Sequence, residues 1–182
     1  MSDLKIVFLH NLSQIIVDTI VSYEPSGYET ISIGVNSSEE EQKRAVADAD
    51  FIILFGVSLS DEIIHVAVKT RLVQLLAAGY DRINTDLLSQ LNIPCANNGG
   101  ANSRAVAEHT VMLMLVLYKR LLALDRSTRD GNWRDLLDGR TTFEMAGKSV
   151  GILGMGNIGQ RVATLLRGFE VEVQYYDKCL LT

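Results

Sequence analysis

Three glycines near the end of the chain have the spacing to hold a phosphate. In GILGMGNIGQ, Gly154, Gly156 and Gly159 form the pattern G-x-G-x-x-G. The pattern follows a strand-like run, 149–153 (SVGIL), and opens a helix-like run, 157–168. In that setting Gly154 permits a tight turn, Gly156 lets the backbone approach a pyrophosphate, and Gly159 lets helix and strand pack closely. The helix start adds N–H groups without partners and a partial positive charge. A second strand-like run, 171–176 (VEVQYY), ends at Asp177, 18 residues after Gly159. A carboxylate there accepts hydrogen bonds from a ribose and repels a 2′-phosphate, which favours NAD over NADP. Strand, glycine turn, helix, strand and terminal acid together predict a dinucleotide ligand.

Elements that could position such a turn recur along the chain. Runs 4–9, 28–34, 51–55, 72–75 and 93–96 are short and mostly β-branched or aromatic, as strands are. Between them, 12–23 carries Leu12, Ile15, Ile16 and Ile20 at helical spacing, and 38–47 opens with Ser38 and Glu41 as a capping box. The acidic start of that second helix, Glu39 to Glu41, reads as a solvated helix end favoured by the dipole. Alternation of this kind predicts an α/β fold with a parallel sheet, whose ligands sit at the carboxyl ends of the strands. The loops 56–60, 77–82 and 97–102 are therefore the ones to watch. From 102 to 126 the pattern becomes one long helix, apolar all round at VMLMLVLY and so expected to be buried between two bodies. Residues 127–148 read as irregular linker with a helical turn at 133–137. The organisation expected is a flavodoxin-like parallel-sheet domain over 1–101, then over 102–182 the long interdomain helix and an incomplete, doubly wound Rossmann unit.

Composition narrows the function. Seventeen Lys+Arg against 22 Asp+Glu give a net charge of −5 and a pI near 5.2. That balance lacks the clustered cations that nucleic acid or an anionic membrane surface requires. Cys95 and Cys179 have no metal-ligand spacing around them, so neither a metal site nor a disulfide framework is predicted; both are expected as reduced, largely buried thiols. The amino terminus lacks the basic region and cleavage site of a signal peptide, and no apolar run approaches the roughly 18 residues that span a bilayer. A soluble, cytoplasmic protein is expected.

The runs 75–88 (LLAAGYDRINTDLL), 92–115 (NIPCANNGGANSRAVAEHTVMLML) and 147–163 (GKSVGILGMGNIGQRVA) resemble the D-isomer-specific 2-hydroxyacid dehydrogenase family. This family includes glyoxylate/hydroxypyruvate reductases, D-lactate dehydrogenases and phosphoglycerate dehydrogenases. The resemblance implies a two-domain NAD enzyme that transfers hydride between the cofactor and a small 2-keto or 2-hydroxy acid. It also implies local roles. Ala78 and Gly79 would offer backbone N–H groups to the substrate carboxylate, Asn102 would face the substrate or nicotinamide, and Val106 would form part of the nicotinamide wall. Gly154, Gly156, Asn157, Ile158, Gly159 and Asp177 would hold the pyrophosphate and ribose. Each has a plainer alternative: Asn102 or Ser103 as a helix cap, Val106 as core, Gly79 as a turn. The long helix would serve a homodimer. Where family members that take phosphorylated acids present an Arg near the end of the third strand, this chain has Phe55-Gly56-Val57, which implies a small or apolar keto acid.

Hydride reduction of a keto acid also needs an electrophile and a proton donor. The resemblance places these, an Arg and a Glu-paired His, beyond Thr182, so no catalytic residue is assigned within the chain. His109 beside Glu108 reads as a packing histidine, and His10 and His65 have weaker claims. The expectation is a truncated member of the family, inactive alone. The competing reading is a non-catalytic, dimerising interaction module derived from it.

Overall fold

In the computed structural model, residues 4–132 and 141–178 are described. They fall in two compact units, Met1–Gly99 and Gly100–Thr182.

The first unit is a five-stranded parallel sheet. Its strands are β1 (Leu4–His10), β2 (Tyr28–Gly34), β3 (Phe51–Phe55), β4 (Leu72–Leu75) and β5 (Cys95–Ala96), in the order β2-β1-β3-β4-β5. This is the flavodoxin-like order, which reverses direction between β1 and β3. Four helices complete it: α1 (Gln14–Val21), α2 (Glu39–Val46), α3 (Asp61–Val66) and α4 (Thr85–Gln90). At the centre, Val7, Phe8, Leu9 and His10 are consecutively buried, so β1 is covered on both faces, as a parallel strand with helices on either side must be. Leu9 stands opposite Ile33 on one side and Leu54 on the other. Val7, Val46, Ile52, Ile64 and Val73 are completely buried around them. The Ser38 Oγ accepts the Glu41 N–H at 3.2 Å, as the sequence predicts. Ser60 and Asn84 cap α3 and α4 in the same way, at 3.4 and 3.0 Å.

Two sequence expectations for this unit need correction. The fifth strand is confined to Cys95–Ala96, because Pro94 has no N–H for the ladder and contributes only its carbonyl, to the Val73 N–H at 2.9 Å. Cys95 is exposed instead of buried, since this two-residue strand lies at the sheet edge. Cys179 lies outside the described residues.

The second unit contains α5 (Ser103–Tyr118), α6 (Leu121–Arg129), β6 (Ser149–Leu153), α7 (Asn157–Leu166), a 3-10 turn at Arg167–Phe169, and β7 (Glu172–Tyr176). β6 and β7 pair in parallel, with Leu153 opposite Tyr176. α7 packs on α5 through Ala107, Val111, Val162 and Leu166, with Met145 in the same core. The single helix expected over 102–126 is in fact two. Arg120 adopts the left-handed conformation, φ +49°, which cannot propagate a right-handed helix. The cause is tertiary: the Tyr118 carbonyl at the end of α5 accepts the Phe143 N–H at 2.9 Å, and the two rings meet edge-on at 6.2 Å. α5 is not buried all round either, because Met112, Leu113 and Leu117 are 47, 46 and 75% exposed. The linker expected from 127 begins later, since α6 runs to Arg129; the turn expected at 133–137 lies outside the described residues. Among the described residues no helix is long and apolar enough to cross a membrane, and no group of three His, Cys, Asp or Glu is placed to hold a metal ion.

Candidate functional site

In the first unit the residues of interest gather at the carboxyl ends of β1, β3 and β4. The loop after β4 is held from below: the Asn97 Nδ2 donates to the Ala78 carbonyl at 2.6 Å, and the Asn98 N–H donates to the Ala77 carbonyl at 3.0 Å. Because a trans peptide is planar with its C=O and N–H opposed, fixing the Ala78 carbonyl toward Asn97 turns the Gly79 N–H away from it. The N–H groups of Ala78 and Gly79 donate to no acceptor among the described residues. Gly79 lines a cavity of about 190 Å³ with Leu54, Gly56, Val57, Tyr80 and Arg82. Two uncommitted amides beside a small cavity offer donors to a carboxylate, opposed by the Asp81 carboxylate, whose Oδ2 stands 3.5 Å from where a Gly79 Cβ would be and which lines the same cavity.

His10 ends β1 and is buried. Its Nδ1 accepts the Leu12 N–H at 3.1 Å, which leaves the proton on Nε2, 2.8 Å from the Ser32 Oγ. Burial lowers its pKa. Both nitrogens are therefore committed to structure and the ring is neutral. His65 caps nothing chemical; its Nδ1 meets the Asp61 carbonyl of its own helix at 2.7 Å. His109 and Glu108 are both exposed on α5, so the packing role expected for this pair is corrected.

In the second unit the glycine turn lies between β6 and α7. Gly154 has φ +95°, a conformation that L side chains rarely adopt, and its N–H donates to the Tyr176 carbonyl at 2.8 Å. A Cβ on Gly159 would stand 2.1 Å from the Gly154 carbonyl oxygen, so only glycine lets α7 approach the turn this closely. Beside Gly156 there is open space, with nothing within 4 Å of where a Cβ would be. No side chain caps α7 and no acid lies in its first turn, so its leading N–H groups are left for an anion. Asn157 and Ile158 are exposed in that turn. Asp177 follows β7 immediately and one carboxylate oxygen accepts the Met155 N–H at 2.5 Å, which ties the second strand to the turn. These residues fit a dinucleotide: a left-handed turn, open backbone, an uncapped helix start and a carboxylate at the next strand end.

Asn102 precedes α5 and makes no capping hydrogen bond with its side chain; it is exposed. Ser103, by contrast, is buried, donating to the Gly100 carbonyl and accepting from the Arg161 Nε, both at 2.7 Å. Val106 is half-buried one turn on. Sequence reasoning missed two of these partners, Asn97 and Arg161. Asn97 lay within a loop flagged for its place after a strand, whereas nothing in the spacing of Arg161 signalled its link to Ser103, 58 residues away.

A flavodoxin-like sheet unit followed by a glycine-turn β-α-β unit defines an α/β protein of the dinucleotide-binding class. Residues 111–181 match the model of the D-isomer specific 2-hydroxyacid dehydrogenase, NAD binding domain. The chain is 31% identical over 161 residues to a glyoxylate reductase of Aeropyrum pernix, covering 86% of this chain and 45% of that protein. It is 29% identical over 158 residues to a D-3-phosphoglycerate dehydrogenase of Escherichia coli, covering 86% and 38%. Among solved structures, it resembles an NAD-dependent formate dehydrogenase from Staphylococcus aureus in complex with NAD. That likeness has a TM-score of 0.77 and 29% identity, over 96% of this chain and 56% of the other. The chain is thus similar to the D-isomer-specific 2-hydroxyacid dehydrogenases, with residues 111–181 matching their NAD-binding domain. It spans under half the length of these two curated relatives, 45 and 38%.

Proposed function

We propose that this chain supplies the keto-acid-binding and NAD-binding parts of a cytoplasmic, NAD-dependent 2-hydroxyacid dehydrogenase that acts on a small 2-keto or 2-hydroxy acid. The observation that carries this reading is the glycine turn, with Gly154 left-handed, Gly159 in backbone contact and Asp177 closing the strand behind it. Residues 1–101 form the substrate domain and 102–182 the first part of the coenzyme domain. The amides of Ala78 and Gly79 bind the substrate carboxylate. Gly154, Gly156, Asn157, Ile158 and Gly159 hold the pyrophosphate, Asp177 the ribose, and Asn102 and Val106 border the nicotinamide. NAD(H), when bound, supplies or accepts the hydride. The 182 residues alone bind without turning over, since no side chain at either set of loops is assigned as proton donor to the carbonyl. Calorimetric titration with NAD⁺ tests this, with assay of NADH oxidation in the presence of glyoxylate, hydroxypyruvate or pyruvate. The expected result is a Kd below about 1 mM, roughly −4 kcal/mol, and no oxidation. Lack of NAD⁺ binding overturns the assignment, and turnover by the chain alone overturns its inactivity.

A second observation favours assembly. Met112, Leu113 and Leu117 on α5, and Leu121 and Leu122 on α6, leave apolar surface in water. We read this as a homodimer surface in the segment 102–126, which also serves the alternative of a non-catalytic dimerising module. Light scattering should give twice the 20.1 kDa chain mass, and Leu117→Glu should return it to one. A monomeric native chain sinks the assembly.

A further inference from the structure

The small cavity beside Gly79 is not the only one at this end of the sheet. A larger one, of about 450 Å³, lies at the point where the strand order reverses, lined in part by His10, Gly34, Ser37, Ser58, Gln42 and Arg82. The two share Gly56, Val57 and Arg82. Arg82 therefore borders both spaces. Its neighbour Ile83 forms an isolated parallel bridge with Leu59, which pins the 80–83 segment against the loop after β3.

The charges around the larger cavity are unequal in their commitments. Glu39 is paired with Lys43 at 2.6 Å. His10 is neutral, with both ring nitrogens engaged. The Ser60 hydroxyl accepts the Ile63 N–H as a cap, and the Gln42 Nε2 donates to the Ser37 carbonyl at 3.3 Å. Arg82 has no ion pair or hydrogen bond among the described residues. An exposed guanidinium with five donors at a cavity wall, without a protein partner among the described residues, is a receptor for a planar carboxylate or a phosphate. The acid lining the larger cavity, Glu39, is already paired with Lys43, so a distal anion there meets Arg82 and no unpaired carboxylate.

We infer that Arg82 is a specificity-determining residue: it binds the distal anionic group of a 2-keto acid whose own carboxylate lies on the amides of Ala78 and Gly79. This rests on the dehydrogenase reading given above. It replaces the small or apolar acid implied by Phe55-Gly56-Val57, because the missing cation is supplied by the loop after β4 instead of the loop after β3.

The test is a ¹⁵N NMR titration of the whole 182-residue chain with pyruvate, oxaloacetate and 3-phosphohydroxypyruvate, each followed at the Gly79 and Arg82 amides. The same titrations are run on Arg82→Gln. An acid with a distal anion should bind at least tenfold tighter than pyruvate, and that preference should collapse in Arg82→Gln. Whichever of oxaloacetate and 3-phosphohydroxypyruvate gains more identifies the distal group as carboxylate or phosphate. Equal affinity for all three, a preference that survives Arg82→Gln, or no binding of any keto acid overturns the assignment. A parallel NAD⁺ titration separates the two failures. Retained NAD⁺ binding without discrimination defeats only the role of Arg82, whereas loss of NAD⁺ binding by the native chain defeats the dehydrogenase reading.

Discussion

Gly156 and Gly159 differ by what surrounds them, and the difference separates folding from binding. At Gly159 a methyl group meets the backbone carbonyl oxygen of Gly154 at 2.1 Å, and backbone cannot swing aside as a side chain can. Gly159→Ala should therefore destabilise the second unit by about 1–3 kcal/mol, typical of overpacking, and lower NAD⁺ affinity with it. Gly156→Ala meets open space, so urea unfolding should change by less than about 0.5 kcal/mol, as at unconstrained surface positions. If Gly156 lies against the pyrophosphate as proposed, the variant's NAD⁺ affinity should still fall tenfold or more, because the methyl group would occupy that space. Full NAD⁺ binding by Gly156→Ala would remove the phosphate from this turn. At His10, burial depresses the pKa below its ordinary 6.5, so the unfolded chain takes up a proton more readily than the folded one. Stability from this group is present above 6.5 and declines as pH falls from there toward the lower folded value. An imidazole NMR titration should place its midpoint below 6.5; a higher midpoint refutes the neutral ring. The glycine spacing was readable in sequence because each role is local to ten residues. The grip of Asn97 on Ala78 was not, because it depends on β4 and β5 being neighbours, 19 residues apart in the chain.

The break between α5 and α6 shows where periodicity stops informing. Lys119 and Arg120 are good helix formers, and the apolar pattern runs through them without interruption. What ends α5 is the Phe143 N–H on the Tyr118 carbonyl, a contact from a segment beyond α6. Arg120 carries the conformational cost, since a left-handed residue with a Cβ loses about 1 kcal/mol or more relative to glycine. Arg120→Gly should raise the stability of the second unit by up to about 1 kcal/mol in urea unfolding, the unfolded-state entropy of glycine offsetting part of the gain. A loss of stability would mean that the arginine side chain holds the corner. The short helices α3 and α4 are hard to read from sequence for a different reason. At six residues each they show under two turns of pattern, although Ser60 and Asn84 carried the capping signal. Strand existence was legible throughout the first unit, because β-branched runs bounded by polar loops have few other uses.

Across the first unit, Asp48 joins segments far apart in the chain. It pairs with Lys5 at the start of β1 and with Lys69 ahead of β4, the latter at 2.9 Å. The Lys5 and Lys69 ammonium groups pull its pKa from 3.8 down to about 2. A depressed carboxylate stabilises the fold above the unfolded value and loses that contribution as pH falls through the folded one, so the window runs from 3.8 down to about 2. A carboxyl NMR titration should find this midpoint, and Lys69→Gln should move it upward. No upward shift would show that Lys69 contributes nothing to the depression.

The position of β1 in the sheet has a consequence for how the protein is made. β1 is the first strand of this unit to be synthesised, and it is flanked on both sides, by β2 and by β3. Every later strand of the unit pairs with one already synthesised: β2 and β3 with β1, β4 with β3, β5 with β4. The nascent sheet can therefore extend outward in the order of translation, and no strand must wait for a neighbour not yet made. Parallel sheets fold slowly and expose strand edges while they do so. Here each later strand finds its pairing partner already made when it emerges.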